Sequence, residues 1–220
     1  MQASAAPHTL LLDMDGTILD LAFDNYFWQE LIPRFVARRS GRPLSATREE
    51  IESLYAQYRG TLEWYCLDFW TARFAIDLRA LKAAASQRIR YLPGARQFLA
   101  AAGRERRLIL VTNAHGDTLA LKAALTGLAG YFEQLVSAHE LGLAKEQPDF
   151  WPALERRVGL DPRRSVLLDD SVPVLDAAAA YGLGATIAIR RPDSGRPEQD
   201  PGAHRSVRDL ADRSLPALLG

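Results

Sequence analysis

The 220-residue chain holds 27 basic and 27 acidic side chains, with 48% hydrophobic and 25% charged residues. That is enough for one substantial core plus an inserted module, and too little for two full enzymatic domains. Zero net charge gives nucleic acid no electrostatic hold, and no apolar stretch approaches the ~18 residues of a membrane span.

At the start, Met1 to His8 lacks the basic and apolar regions of an export signal, so a cytoplasmic protein is expected. Residues 9 to 14 read as a buried strand that runs into Asp13-Met14-Asp15-Gly16-Thr17. From about 21 to 90 the signal is helical with no convincing strand. Phe23, Phe27, Leu31 and Phe35 recur every fourth residue, and Gly41 marks a helix end. Thr47 with Glu50 reads as a capping box ahead of Ile51, Leu54, Tyr55 and Tyr58, with Gly60 as the stop. Residues 21 to 80 hold 12 of the 19 aromatics, including Trp28, Trp64 and Trp70, most of them needed as core. Cys66, the sole cysteine, excludes an internal disulfide, fits a reducing compartment and reads as a small buried apolar residue.

Beyond the insert, strands are expected at 107 to 112, 165 to 170 and 184 to 189, with a weaker one at 133 to 138. Helices are expected near 94 to 103, 116 to 127, 149 to 158 and 173 to 181, giving a parallel α/β sheet flanked by helices on both faces. Pro192 to His204 is loop-like, and Val207 to Leu219 reads as a last helix. Only three lysines occur, Lys82, Lys122 and Lys145, against 24 arginines, so a chemically required ammonium stands out although a surface position is the commoner fate.

In an open parallel sheet, ligands sit beyond the carboxyl ends of the strands. Three expected strands end there in reactive side chains: Asp13 and Asp15, Thr112 and Asn113, and Asp169 and Asp170, with Lys145 in a loop nearby. Singly, each has a structural explanation as a cap or a solvated loop residue. Together they are complete for phosphoryl transfer through an aspartyl phosphate. Asp13 would attack phosphorus and Asp15 would serve as acid and then base. Mg²⁺ would take oxygens from Asp13, the Asp15 carbonyl and the Asp169/Asp170 pair, with Asp170 favoured. Thr112, Asn113 and Lys145 would hold the phosphate, and Lys145 would also keep Asp13 ionised.

This set resembles the haloacid dehalogenase superfamily, whose four motifs match in order as Asp13 to Thr17, Thr112, Lys145 and Asp169-Asp170. The resemblance implies a Rossmann-like core over residues 1–20 and 91–220 and an all-helical cap over 21–90. Asp15 marks the phosphatases of that superfamily, while Asp176, six residues past Asp170, is left as a helix residue. At finer grain the chain is similar to the bacterial GMP/IMP nucleotidases in Leu11 to Thr17, Asp20 to Trp28, Trp64 to Asp68, Thr112 to His115 and Pro192 to Gly195. That similarity implies a purine 5'-monophosphate as partner.

For the base and ribose, Asn25, Trp28, Trp64, Tyr65, Asp68 and His115 qualify by residue type, as does Asp24, with Asn25 first. Asp24 and Asp68 have the competing explanation of solvated helix charges, and His115 that of an ordinary loop histidine. Another small phosphomonoester such as a sugar phosphate, a mutase or a non-catalytic binding protein are the alternative readings. Monomer and homodimer both remain open.

Overall fold

The computed structural model describes residues 9–219; Met1 to His8, read above for an export signal, lies outside them. Six parallel strands form one sheet in the order β3-β2-β1-β4-β5-β6. They are β1 (Thr9–Leu12), β2 (Arg107–Thr112), β3 (Gln134–Ser137), β4 (Ser165–Asp169), β5 (Ala185–Ile189) and β6 (Arg205–Val207). Strands are added outward on one side of β1 through β2 and β3 and on the other through β4, β5 and β6, so the order switches at β1 and the crevice at its carboxyl end is the expected ligand position.

Central strands are apolar on both faces because helices cover both. Leu10 and Leu12 enter one core with Leu99, Leu110, Leu168 and Ile187, and Leu11 enters the other with Ile109, Phe150, Trp151, Leu167 and Leu175. Each such side chain contributes roughly 1.5–3 kcal/mol by leaving water. That double burial gives these strands continuous apolar runs.

The first stretch between β1 and β2 contains α1 (Ala22–Tyr26), α2 (Ile32–Ser40), α3 (Leu44–Ala56), α4 (Leu67–Phe74) and α5 (Leu78–Ala84). Its own core centres on Trp70, whose ring lies 4.9 Å from Tyr55 and from Phe69 and stacks on Phe74 at 5.5 Å. A wide π-helical turn, Phe27–Leu31, joins α1 to α2. Pro33 has no N–H for the Gln29 carbonyl, which interrupts regular helical bonding there. Gly41 ends α2 at φ +69°.

The remaining helices are α6 (Ala95–Ala102), α7 (Gly116–Thr126), α8 (Ala138–Leu141), α9 (Phe150–Val158), α10 (Val172–Tyr181) and α11 (Leu215–Leu218). Three local expectations are corrected. Thr47 caps nothing: α3 already starts at Leu44, and the Thr47 hydroxyl donates back to the Pro43 carbonyl at 3.0 Å. Phe35 is 41% exposed, so the every-fourth-residue stripe ends at Leu31. Val207 to Leu219 is not one helix, because Arg205–Val207 pairs with β5 and only Leu215–Leu218 is helical.

Candidate active site

The register of β1 builds the site. Leu12 sits beside Leu110 and Leu168, so Asp13, the next residue, emerges beside Asp169, with its amide donating to the Leu168 carbonyl at 3.0 Å. Gly16 then turns the chain at φ +92°. A Cβ there would stand 2.6 Å from the Asp170 carboxyl carbon, so only glycine lets the first loop close on the acids after β4.

All three lysines are buried, which corrects the surface expectation: Lys82 and Lys145 are 2% exposed and Lys122 is 1% exposed. Lys145 Nζ donates to Asp13 at 2.5 Å, to Asp169 at 2.7 Å and to the Val111 carbonyl at 3.1 Å. Its three protons are thereby engaged, so it fixes Asp13 and does not reach out to a phosphate. Lys122 Nζ donates to Asp15 and Asp24, both at 2.5 Å, and Lys82 Nζ donates to the other Asp24 oxygen at 2.9 Å. Lys82 also lies 4.7 Å over the Phe27 ring, which replaces part of its lost hydration.

Asp24 is therefore a buried anion between two ammonium groups and not a solvated helix charge. Burial alone would push its carboxyl up, but Lys122 and Lys82 outweigh burial and hold it at about 2. Asp15 shares Lys122, yet burial and the Asp24 charge raise its carboxyl above the usual range. A proton placed among these groups thus prefers Asp15, the protonation state a general acid needs. Burial, with Asp169 and Asp15 adding to it against the pull of Lys145, pushes the Asp13 carboxyl up to about 7.

Asp13, Asp169 and Asp170 bring carboxylate oxygens within 4.8 Å of one another. Asp169 is already engaged, one oxygen with Lys145 and the other with the Ser171 amide at 2.9 Å. Asp170 has no ion-pair partner among the described residues, and burial with Asp169 and Asp13 pushes its carboxyl well up. Three hard oxygens around an uncompensated negative charge fit a magnesium ion, with Asp170 the freer ligand.

Thr112 Oγ1 accepts from the Ala114 amide at 3.0 Å, and its own hydroxyl proton remains available to a phosphate. The Asn113 carboxamide, expected on the phosphate, is turned into the protein instead: Oδ1 accepts from the Lys145 amide and Nδ2 donates to Glu146, both at 2.9 Å. It shapes the Lys145 loop. Tyr65 reaches the same Glu146 from the insert at 2.6 Å.

A cavity of about 730 Å³ joins the acids to the insert, within the ~300–1,000 Å³ typical of ligand sites. Asp13, Asp15, Thr112, Asn113, Lys145, Asp169 and Asp170 line it, together with Asn25, Trp28, Trp64, Tyr65 and His115. Asn25 donates to Asp193 at 2.6 Å, which anchors it at the mouth of the insert. Asp68 is not part of this lining; its side chain is 62% exposed and pairs with Arg79 at 2.6 Å. Lys122, Lys82 and Glu146 were not singled out by sequence as site residues. For the first two, the available signal was the scarcity of lysine in an arginine-rich chain.

Residues 7–182 match the sequence profile of the haloacid dehalogenase-like hydrolases. The chain belongs to that family. Over 214 residues it is 39% identical to the GMP/IMP nucleotidase YrfG of Escherichia coli (strain K12), covering 96% of this chain and 95% of the relative. In fold, the HAD phosphatase from Thermococcus onnurineus superposes with a TM-score of 0.78 at 24% identity, over 96% of this chain and 97% of that one. The HAD-hydrolase YfnB from Bacillus subtilis, bound to magnesium, gives 0.71 at 18% identity over 97% and 99%. The molecule is thus a HAD-type phosphoric monoester hydrolase on a Rossmann-like α/β core, and among its described residues no helix is long and apolar enough to cross a membrane.

Proposed function

We propose that this HAD enzyme hydrolyses purine nucleoside 5'-monophosphates, GMP and IMP foremost, in the cytoplasm and with Mg²⁺. Residues 21–90 act as the cap over a core of residues 1–20 and 91–220. The observation that carries the reading is the single cavity whose lining includes both the acid cluster and Trp28, Trp64 and Asn25, since a nucleotide needs a phosphate site and a flat apolar surface together. Glu30 and Arg48 line it too; they pair with each other through Glu30 Oε2, while Arg48 Nε, without a partner among the described residues, is a donor of the kind a 6-oxopurine edge can use. The name of the Escherichia coli relative supports the same substrate class.

Asp13 attacks phosphorus with one carboxylate oxygen, the P–O bond to the ribose 5'-oxygen breaks, and Asp15 gives that oxygen its proton. Water then attacks the phosphorus of the Asp13 acyl phosphate, loses a proton to Asp15 and releases phosphate with Asp13 restored. Thr112 donates to a non-bridging oxygen throughout, and Lys145 keeps Asp13 aimed. Asp13, the Asp15 carbonyl and Asp170 would hold Mg²⁺, with Asp169 steadying the pair; the ion supplies positive charge that offsets carboxylates and phosphate.

A panel of nucleoside monophosphates and sugar phosphates tests the substrate. GMP and IMP are expected to exceed AMP and every sugar phosphate at least ~10-fold in kcat/KM, a modest discrimination for one polar edge. Asn25→Ala and Trp64→Ala should erode that preference while p-nitrophenyl phosphate is still hydrolysed. Turnover of sugar phosphates alone would overturn the nucleotide assignment.

The ion has its own test in stability. Asp13, shifted from 3.8 to about 7, keeps a proton on folding that the unfolded chain has released, so the metal-free fold weakens as pH rises from about 4 through 7. Asp170 works in the same direction. Asp24 has the opposite sign, but its contribution is complete above 3.8 and is lost only as pH falls through about 2. Mg²⁺ should therefore raise Tm more at pH 8 than at pH 5, by at least ~2–4 °C, which is ~1 kcal/mol in a chain of this size. Equal shifts at the two pH values would count against the carboxylate site.

A further inference from the structure

A second group of metal-ligating side chains is distinct from the carboxylate cluster and has no part in the mechanism above, although one of its members, His115, also lines the cavity. Cys66, His115 and His139 each bring a donor atom within 4.8 Å of the other two. They come from three separate segments. Cys66 is the N-cap of α4 in the helical insert, His115 the N-cap of α7, and His139 the second residue of α8 on the core.

The chemistry of each donor points the same way. Cys66 Sγ accepts the Phe69 amide at 3.4 Å at the start of α4, which holds the sulfur beside the two imidazole rings. His115 Nδ1 accepts the Asp117 amide at 3.3 Å, which fixes the ring, and Asp68 and Asp117 each place a carboxylate oxygen 3.5 Å from that ring. The His139 ring packs edge-on to His115 at 4.9 Å. The Tyr65 and Asn113 backbones lie beside the His139 ring, yet among the described residues its buried Nε2 has no partner in hydrogen-bond geometry, and an unsatisfied buried polar atom costs roughly 1–3 kcal/mol. A coordinate bond would satisfy it.

We propose that Cys66, His115 and His139 form a second cation site, selective for a borderline-soft divalent ion of the zinc class, that ties the helical insert to the core. One sulfur and two imidazole nitrogens are a donor set for zinc and a poor one for magnesium, while the all-oxygen set of Asp13, Asp169 and Asp170 has the reverse preference. Tetrahedral zinc sets such donors roughly 3.5 Å apart, so donors within 4.8 Å of one another need only a small inward shift to share an ion. The exposed Asp68 carboxylate or a water completes the shell. Because one ligand belongs to the insert and two to the core, the bound ion restrains the insert over the cavity.

Cobalt is the probe, added to the metal-free full-length protein in excess Mg²⁺. One equivalent is expected to produce a near-ultraviolet sulfur-to-cobalt charge-transfer band and intense visible bands of tetrahedral form, retained in Asp170→Asn. Zinc affinity, read by competition with a chromophoric chelator, should fall at least ~100-fold in both His139→Ala and Cys66→Ser, with the latter keeping an N-cap acceptor. Absence of the charge-transfer band in the parent protein, its loss in Asp170→Asn, or undiminished zinc affinity in His139→Ala would each overturn the proposal.

Discussion

Asp13→Asn should lower phosphate release by at least ~10⁴-fold while the protein melts at or above the parent temperature. An amide is not a nucleophile, so the covalent route closes. Its oxygen still accepts from Lys145, so the local geometry survives. Asp13 is a buried carboxyl pushed up to about 7, and replacing it with a neutral isostere removes a desolvated charge from the folded state. Loss of turnover with retained stability separates a chemical role from a structural one. Measuring released inorganic phosphate beside a thermal melt decides it, and activity within tenfold of the parent would eliminate Asp13 as the nucleophile.

Lys145→Met should damage both properties. The ammonium bridges Asp13 and Asp169 in the buried floor of the site, and without it two carboxylates face each other with nothing between them. Breaking a buried ion pair from one side costs roughly 3–5 kcal/mol, because the surviving charges stay desolvated. Urea denaturation at pH 8 should show a loss of that size, and a smaller one at pH 5, where the freed carboxylates can take up protons. Turnover should fall by at least ~10³-fold, since Asp13 then lacks both its charge partner and its orientation. A variant as stable as the parent at pH 8 would mean that Lys145 does not neutralise the pair.

How far the sequence could be read depended on the range of the contacts involved. Strands β1, β2, β4 and β5 are buried on both faces, and that condition writes unbroken apolar runs into the chain. Strand β6 has three residues, Arg205-Ser206-Val207, at the sheet edge, too few to show an alternation. Thr47 carried a cap signature that Pro43 pre-empted by starting the helix earlier. The acids and Lys145 were legible because parallel-sheet topology delivers strand ends to one rim. The use of Asn113 was not, since it depends on Glu146 and the Lys145 amide folding back onto it. Asp24 was misjudged for the same reason: its partners stand 58 and 98 residues away, and nothing local distinguishes it from a surface carboxylate.

The burial of Lys82, Lys122 and Lys145 also defines the exterior of this enzyme. Every lysine side chain is enclosed, and among the described residues the permanent outward positive charge is carried by guanidinium groups. Acylation, reductive alkylation or isopeptide formation at lysine requires an accessible ε-amine, and the native fold withholds all three. For this molecule, modification at lysine is a report on opening of the fold.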